Sequence, residues 1–187
     1  MIDDVKAAIA VLQKGGIILY PTDTIWGLGC DAGNEDAVQR IYTIKNRVDS
    51  KSMLVLMENA ALIERYVDEV PDVAYDLIEL TDKPLTIIFD GAKNLAKNLI
   101  AADSSIGIRI TSEAFSSELI RRFKRPIVST SANISGDPSP ARFSDIDQKI
   151  IDSVDFVVKF RQDEIQKAVP SSIIKLGRSG EIKIIRE

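Results

Sequence analysis

Short apolar runs alternate with amphipathic stretches along almost the whole chain, and that alternation most narrows the folds open to it. Ile17–Tyr20, Met53–Met57, Leu85–Phe89, Ile106–Ile110, Pro126–Ser129 and Val154–Val158 are too short for buried helices and read as strands. Between them, residues 3–14 carry Val5, Ala8, Ile9 and Leu12 at helical spacing before a Gly15-Gly16 stop. Asn34 caps a second expected helix with Ala37, Val38, Ile41 and Ile44 on one face, ending near Lys45-Asn46-Arg47.

Further helices are expected over 59–67, over 71–80 with Pro71 in the first turn, over 113–123, and over 144–151 with Ser144 and Asp147 as a capping box. Residues 172–176 and 181–185 flank Gly177-Arg178-Ser179-Gly180 as a hairpin. Strands alternating with helices specify an α/β fold, and the terminal hairpin makes its sheet mixed. With 187 residues, 45% of them hydrophobic, the chain is expected to form one domain over 1–187 with no additional C-terminal domain.

Composition removes whole classes of chemistry. The chain has no histidine, which excludes Ser-His-Asp and Cys-His hydrolases and takes away the commonest metal ligand. Its single cysteine, Cys30, forms no internal disulfide and builds no zinc spacing; behind Gly29 it reads as a packing residue. The cysteine usage fits a reducing cytosol, and neither a signal peptide nor an apolar run of transmembrane length is evident, so a cytoplasmic protein without membrane association is expected. A net charge of -4 argues against a sequence-independent electrostatic grip on nucleic acid over the whole surface, while leaving room for a local basic cleft.

Two polar stretches follow strands, and a cationic one follows a helix. Ser129 to Pro140 holds five hydroxyls and one amide in twelve residues, which suits either an anionic or sugar-like ligand or a turn satisfying its own backbone. Pro21 to Asp31 pairs threonines with glycines that admit a ligand to the backbone; its Asp23 and threonines equally suit an internal turn, and Trp26 a core. Lys45, Arg47 and Lys51 are either cations at a helix C-terminus or the fork and point charges that a polyphosphate needs. Arg109 interrupts an apolar strand, and alternation puts it with Gly107 on the face opposite the isoleucines, solvated or facing a ligand.

Taken in order, Tyr20-Pro-Thr-Asp-Thr24 with Gly27-Leu-Gly29, Lys45-x-Arg47, Gly107-x-Arg109, Ser129-Thr-Ser-Ala-Asn133 with Ser135-Gly136 and Pro138-Ser139, Pro170-Ser171-Ser172 and Ile184-Ile185-Arg186 resemble the YrdC-type family of threonylcarbamoyl-AMP synthases. The resemblance implies a twisted, open, mixed sheet with flanking helices around a concave cleft. It also implies ATP-dependent synthesis of threonylcarbamoyl-AMP and pyrophosphate from L-threonine, bicarbonate and ATP with Mg²⁺. The product would serve t⁶A modification of tRNA by a partner threonylcarbamoyl transferase complex, with tRNA itself a possible partner.

Carried across motif by motif, the resemblance makes Lys45 and Arg47 catalytic and assigns Thr24, Arg109, Ser129 and Ser171 to threonine. Arg47, Lys51, Ser105, Ser131, Asn133, Ser139 and Arg186 would hold the nucleotide, and no metal ligand is assigned to the protein. The chain departs from the family pattern at Asn46, Val48, Lys51-Ser52-Met53, Leu56 and Asp82-Lys83. Two rival readings are an RNA-binding module of the same fold and a related carbamoyl-adenylate enzyme with another substrate.

Overall fold

The computed structural model describes residues 1–46, 53–164 and 170–187. The expected Arg47, Lys51 and Val48 positions therefore lie outside the described residues. Five α-helices and nine strands are built from it: α1 Ile2–Gln13, β1 Ile18–Tyr20, β2 Gly27–Gly29, α2 Glu35–Ile44, β3 Leu54–Met57, α3 Val73–Leu80, β4 Leu85–Phe89, β5 Ile106–Ile110, α4 Ala114–Phe123, β6 Ile127–Ser131, α5 Gln148–Asp152, β7 Phe156–Val157, β8 Ser172–Leu176 and β9 Ile182–Arg186. All strands join one mixed, twisted sheet in the order β7-β1-β2-β6-β3-β5-β4-β8-β9, with β1/β7, β3/β5 and β4/β8 parallel.

Helix boundaries follow local chemistry. Gly15, at φ +75°, supplies the left-handed residue that ends α1. Asn34 caps α2 through its side-chain oxygen, which accepts from Ala37 N at 3.0 Å. Two expected helices are altered. Residues 60–65 form a 3-10 segment capped by Asn59, cut short because Val67 bridges Ala92. The 144–151 helix is divided into a 3-10 turn at Phe143–Asp145 and α5, whose cap is Asp147, not Ser144; the Asp147 carboxylate accepts from Lys149 N at 2.8 Å. Pro71 sits just ahead of α3 and accepts from Ala74 N.

Cross-strand register sorts the side chains into two faces. Val128, Val55, Ile108, Ile87, Ile174 and Ile184 lie opposite one another across β6-β3-β5-β4-β8-β9, a continuous apolar row. On that side α1 and α4 pack together and onto β1 and β3, burying Val5, Ala8, Leu12, Phe115 and Leu119. The other face runs Leu56, Arg109, Thr86, Ile173, Arg186 in one row, and Ser129, Leu54, Gly107, Ile88, Lys175 in the next. No helix among the described residues is long and apolar enough to cross a membrane.

Where β2 passes β1 and β6, the sheet has no room for a side chain at Gly29. A Cβ there would stand 2.6 Å from the Tyr20 ring and 3.0 Å from the Val128 carbonyl oxygen. Cys30 follows, fully buried, and burial pushes its thiol pKa up, which makes it packing material with little thiolate character. Gly29→Ala is expected to cost about 2–3 kcal/mol through overpacking. A urea midpoint unchanged from the parent would show that Tyr20 yields instead.

Candidate functional site

The polar face of the sheet forms the floor of a cleft of about 220 Å³ lined by Thr24, Ile25, Trp26, Gly27, Met53, Leu54, Arg109, Ser129, Thr130, Ser131, Ser139, Pro170, Ser171, Ile173 and Arg186. Seven of the expected site residues meet here: Thr24, Arg109, Ser129, Ser131, Ser139, Ser171 and Arg186. They come from the loop before β2, from β5, β6 and β9, from the segment after β6 and from the residue ahead of β8.

Arg109 is not on a solvated face: it is 3% exposed, on the cleft floor. Its Nη2 lies 3.0 Å from Asp23 Oδ1, close enough for charge pairing but not aligned as a hydrogen bond. Arg109 Nε and Asp23 Oδ1 are consequently buried polar atoms without a hydrogen-bond partner among the described residues. Buried polar groups left in this state mark places where a ligand completes the hydrogen bonding. Burial raises the Asp23 carboxyl pKa above the usual carboxylate range against the pull of Arg109.

Arg186 arrives by a different route. Plain alternation from Ile184 would turn it to the apolar side, but β9 carries one extra residue between its pairings with Ile173 and Ile174. That bulge re-aims Arg186 into the row of Ile173 and Arg109. Its Nε and Nη2 donate to the Ser171 carbonyl at 3.0 and 2.7 Å. Burial, and then repulsion from Arg109, push its pKa down. Two cations, from β5 and from β9 across the intervening β4 and β8, face one cavity and make it attractive to anions.

The hydroxyls have assignable directions. Thr22 Oγ1 donates its single proton to the Ile25 carbonyl at 2.8 Å, so in the 3.0 Å Thr22–Thr24 pair the donor is Thr24. The Thr24 oxygen, 7% exposed on the cleft wall, thus has lone pairs to offer a ligand N–H. Thr86 and Ser171 share a 2.9 Å hydrogen bond beside Arg109.

Three expected site residues do not line the cleft. Lys45 ends α2, is 2% exposed, and donates from Nζ to Ser131 O at 2.5 Å, Asn133 O at 2.6 Å and Asn133 Oδ1 at 3.4 Å. Its ammonium holds the serine-rich loop from behind, so the structure places it as an anchor of the cleft wall. Asn133 is spent on the same loop: its Nδ2 donates to Ile134 O and Asp137 O. Ser105 sits at the far end of β5 from Arg109, where Asp103 takes both its N–H and its hydroxyl. The loop therefore does both things its composition permitted, with Ser129, Thr130, Ser131 and Ser139 at the cleft and Asn133 satisfying backbone.

Sequence reading passed over the apolar wall of Met53, Leu54 and Ile173, and it took Trp26 for core. Trp26 is 6% exposed with Phe143 against its ring at 4.8 Å, yet it also lines the cleft. Leu54 reaches the cleft through the sheet register, standing directly opposite Gly107 and Ser129, which the sequence alone does not give. Among the described residues, no group of three or more His, Cys, Asp or Glu could hold a metal ion.

The profile of the Sua5/YciO/YrdC family, described as telomere recombination, matches residues 10–187. The chain belongs to this family. Among its relatives, a threonylcarbamoyl-AMP synthase of Pseudoalteromonas translucida is 32% identical over 157 residues, covering 82% of this chain and 84% of that one. A threonylcarbamoyl-AMP synthase of Xanthomonas campestris pv. campestris is 29% identical over 182 residues, 96% of each chain. Escherichia coli YciO superposes with a TM-score of 0.84 at 25% identity over 98% of this chain and 88% of its own. P. abyssi Sua5, solved in complex with L-threonine, superposes at 0.82 with 24% identity, covering 92% of this chain; the chain spans 50% of that protein's length. The twisted mixed sheet with flanking helices is thus the fold of the Sua5/YciO/YrdC family.

Anchoring by Lys45 can be measured. Lys45→Met leaves the Ser131 and Asn133 carbonyls without their ammonium donor, and a loss of about 2–3 kcal/mol is expected for buried acceptors deprived of a charged partner. Urea unfolding reads this directly. A parent-like midpoint would show that the loop stands without Lys45.

Proposed function

We propose that this chain is a threonylcarbamoyl-AMP synthase. It joins L-threonine, bicarbonate and ATP into threonylcarbamoyl-AMP and pyrophosphate, supplying a transferase that modifies tRNA. One observation carries the reading: a cleft with two arginines and a ring of hydroxyls, and no carboxylate, histidine or thiol among its described lining residues. Such a set of groups suits binding and orienting anions.

The reaction suits that equipment. The threonine amine adds to the carbon of bicarbonate, releasing water and giving a carbamate. A carbamate oxygen then attacks the α-phosphorus of ATP, forming the P–O bond of the mixed anhydride as the bond to pyrophosphate breaks. The nucleophile belongs to the substrate, so the enzyme's share is alignment and stabilisation of charge on the departing phosphates. Mg²⁺ enters as part of the ATP substrate and neutralises its phosphates.

Within the cleft, Arg109 takes the threonine carboxylate and Thr24 accepts from its nitrogen, with Ser129 and Ser171 beside them. Arg186, Ser131 and Ser139 line the nucleotide side. Arg47 and Lys51 are assigned to the phosphates on the family motif alone. Lys45 acts through the loop it holds. Leu54, Met53 and Ile173 give the cleft an apolar flank for the threonine methyl or the adenine ring.

The purified protein is expected to release pyrophosphate from ATP and Mg²⁺ only when threonine and bicarbonate are both present. Turnover that ignores either omission would overturn the reading. Arg109→Ala is expected to lower kcat/KM for threonine about 100-fold or more, the scale set by removing one charged or preorganised donor from such a site. Circular dichroism should match the parent, and near-parent kinetics would remove Arg109 from the threonine site.

A further inference from the structure

We propose that Arg161 is a positioning residue for the substrate loop, setting Thr24 through the Thr22 carbonyl. This inference rests on the synthase reading for what the loop binds, but the geometry is independent of it. Arg161 lies 139 residues from Thr22 in sequence, and its Nη1 donates to Thr22 O at 3.0 Å. The same Nη1 is 3.1 Å from Glu113 Oε1, while Nε and Nη2 form a two-pronged pair with Glu164 at 2.7 and 2.8 Å. One guanidinium thus joins three parts of the chain.

Each partner is itself fixed. Glu113 caps α4: its second carboxylate oxygen accepts from Ser116 N at 2.7 Å and Ser116 Oγ at 2.9 Å. It follows β5, the strand that carries Arg109, so Arg161 ties the Thr22 loop to the strand forming the cleft floor. The segment bearing Arg161 is pinned on the opposite side, with Phe160 N donating to Asp4 Oδ2 at 2.9 Å and its ring stacked on Phe115 at 6.3 Å. Arg161 adopts φ +69°, a left-handed conformation that a residue with a Cβ holds only where its surroundings over-determine it.

The consequence for the site runs through Thr22. Thr22 Oγ1 accepts from Thr24 N at 3.0 Å and from the Thr24 hydroxyl, so the position of Thr22 decides where the Thr24 oxygen points. Arg161 and Glu164 share with Thr22, Thr24 and Trp26 the lining of a small second cavity, and Thr24 and Trp26 line the main cleft as well. A loop released from Arg161 loses its fixed distance to Arg109, and its internal bond from Thr24 N to Thr22 Oγ1 opens more often. Arg161 touches neither the cleft floor nor the bound molecules; it acts through Thr22 and Thr24.

The test uses the full chain as parent, Arg161→Ala and Arg161→Lys, the last keeping one charge without the fork. Hydrogen exchange at the Thr24 amide is expected to rise about tenfold or more in Arg161→Ala, with exchange at β3 and β5 amides unchanged. In pyrophosphate release, KM for threonine should rise about tenfold while kcat stays within about threefold, and Arg161→Lys should recover part of both effects. Parent-like exchange at Thr24 overturns the proposal. So does a rise shared equally by the loop and the central strands, which marks a general structural staple. Should Arg161→Ala fail to fold, Arg161→Lys carries the same two readouts. If the parent itself ignores threonine, the synthase reading falls while the exchange measurement still decides Arg161.

Discussion

Everything in this molecule is arranged around the pairing register of β6, β3, β5, β4, β8 and β9. Because neighbouring strands place directly opposed residues on one side, a single register gives the sheet a continuous row of valine and isoleucine on one face and a row containing Arg109, Thr86 and Arg186 on the other. A slip of one residue in any strand would bury polar groups beneath α1 and α4 and present isoleucines to the cleft. The apolar row, by packing on the helices, fixes the register; the register then fixes the distance between groups that meet only in the cleft. Stability and site geometry are two results of one constraint.

The cleft itself is held in an unfavourable electrostatic arrangement. Arg109 and Arg186 face the same cavity, Arg109 has a charge partner in Asp23 but a buried Nε without a hydrogen bond, and Asp23 is itself raised in pKa by burial. Such a partly compensated cluster favours an arriving carboxylate or phosphate. Both loop walls are held in the same way. A cation reaches from elsewhere in the chain to carbonyl oxygens: the buried Lys45 to Ser131 and Asn133, and the half-buried Arg161 to Thr22. Cations in this fold thus serve in two ways, two on the cleft and two behind its walls.

Much of this was legible in the chain itself. Alternation gave β3, β4, β5 and β6 nearly to the residue, and Asn34 announced α2, because these elements depend on local periodicity and caps. The ordered polar motifs named seven of the residues that line the cleft. Lys45 and Asn133 are assigned to the site by the family resemblance. Their own loop carbonyls turn out to be the nearer acceptors, and short-range sequence carries no record of which acceptor lies closest. Ser105 stands apart from the cleft lining, its hydroxyl bonded to Asp103 two residues away.

The sequence by itself determined the element order apart from β2, which it left within a polar loop, together with the mixed α/β class, the exclusion of histidine chemistry and the identity of the small and hydroxyl-bearing residues, since each depends on residue type and spacing alone. Only the tertiary structure decided which way those residues face and what they hold. Arg186 reaches the cleft because one extra residue in β9 reverses its side, and Arg161 reaches the Thr22 loop across 139 positions of chain. Neither follows from any local pattern. A bulge is settled by competition between pairings with a neighbouring strand, and a contact of that span exists only once the whole sheet has closed it.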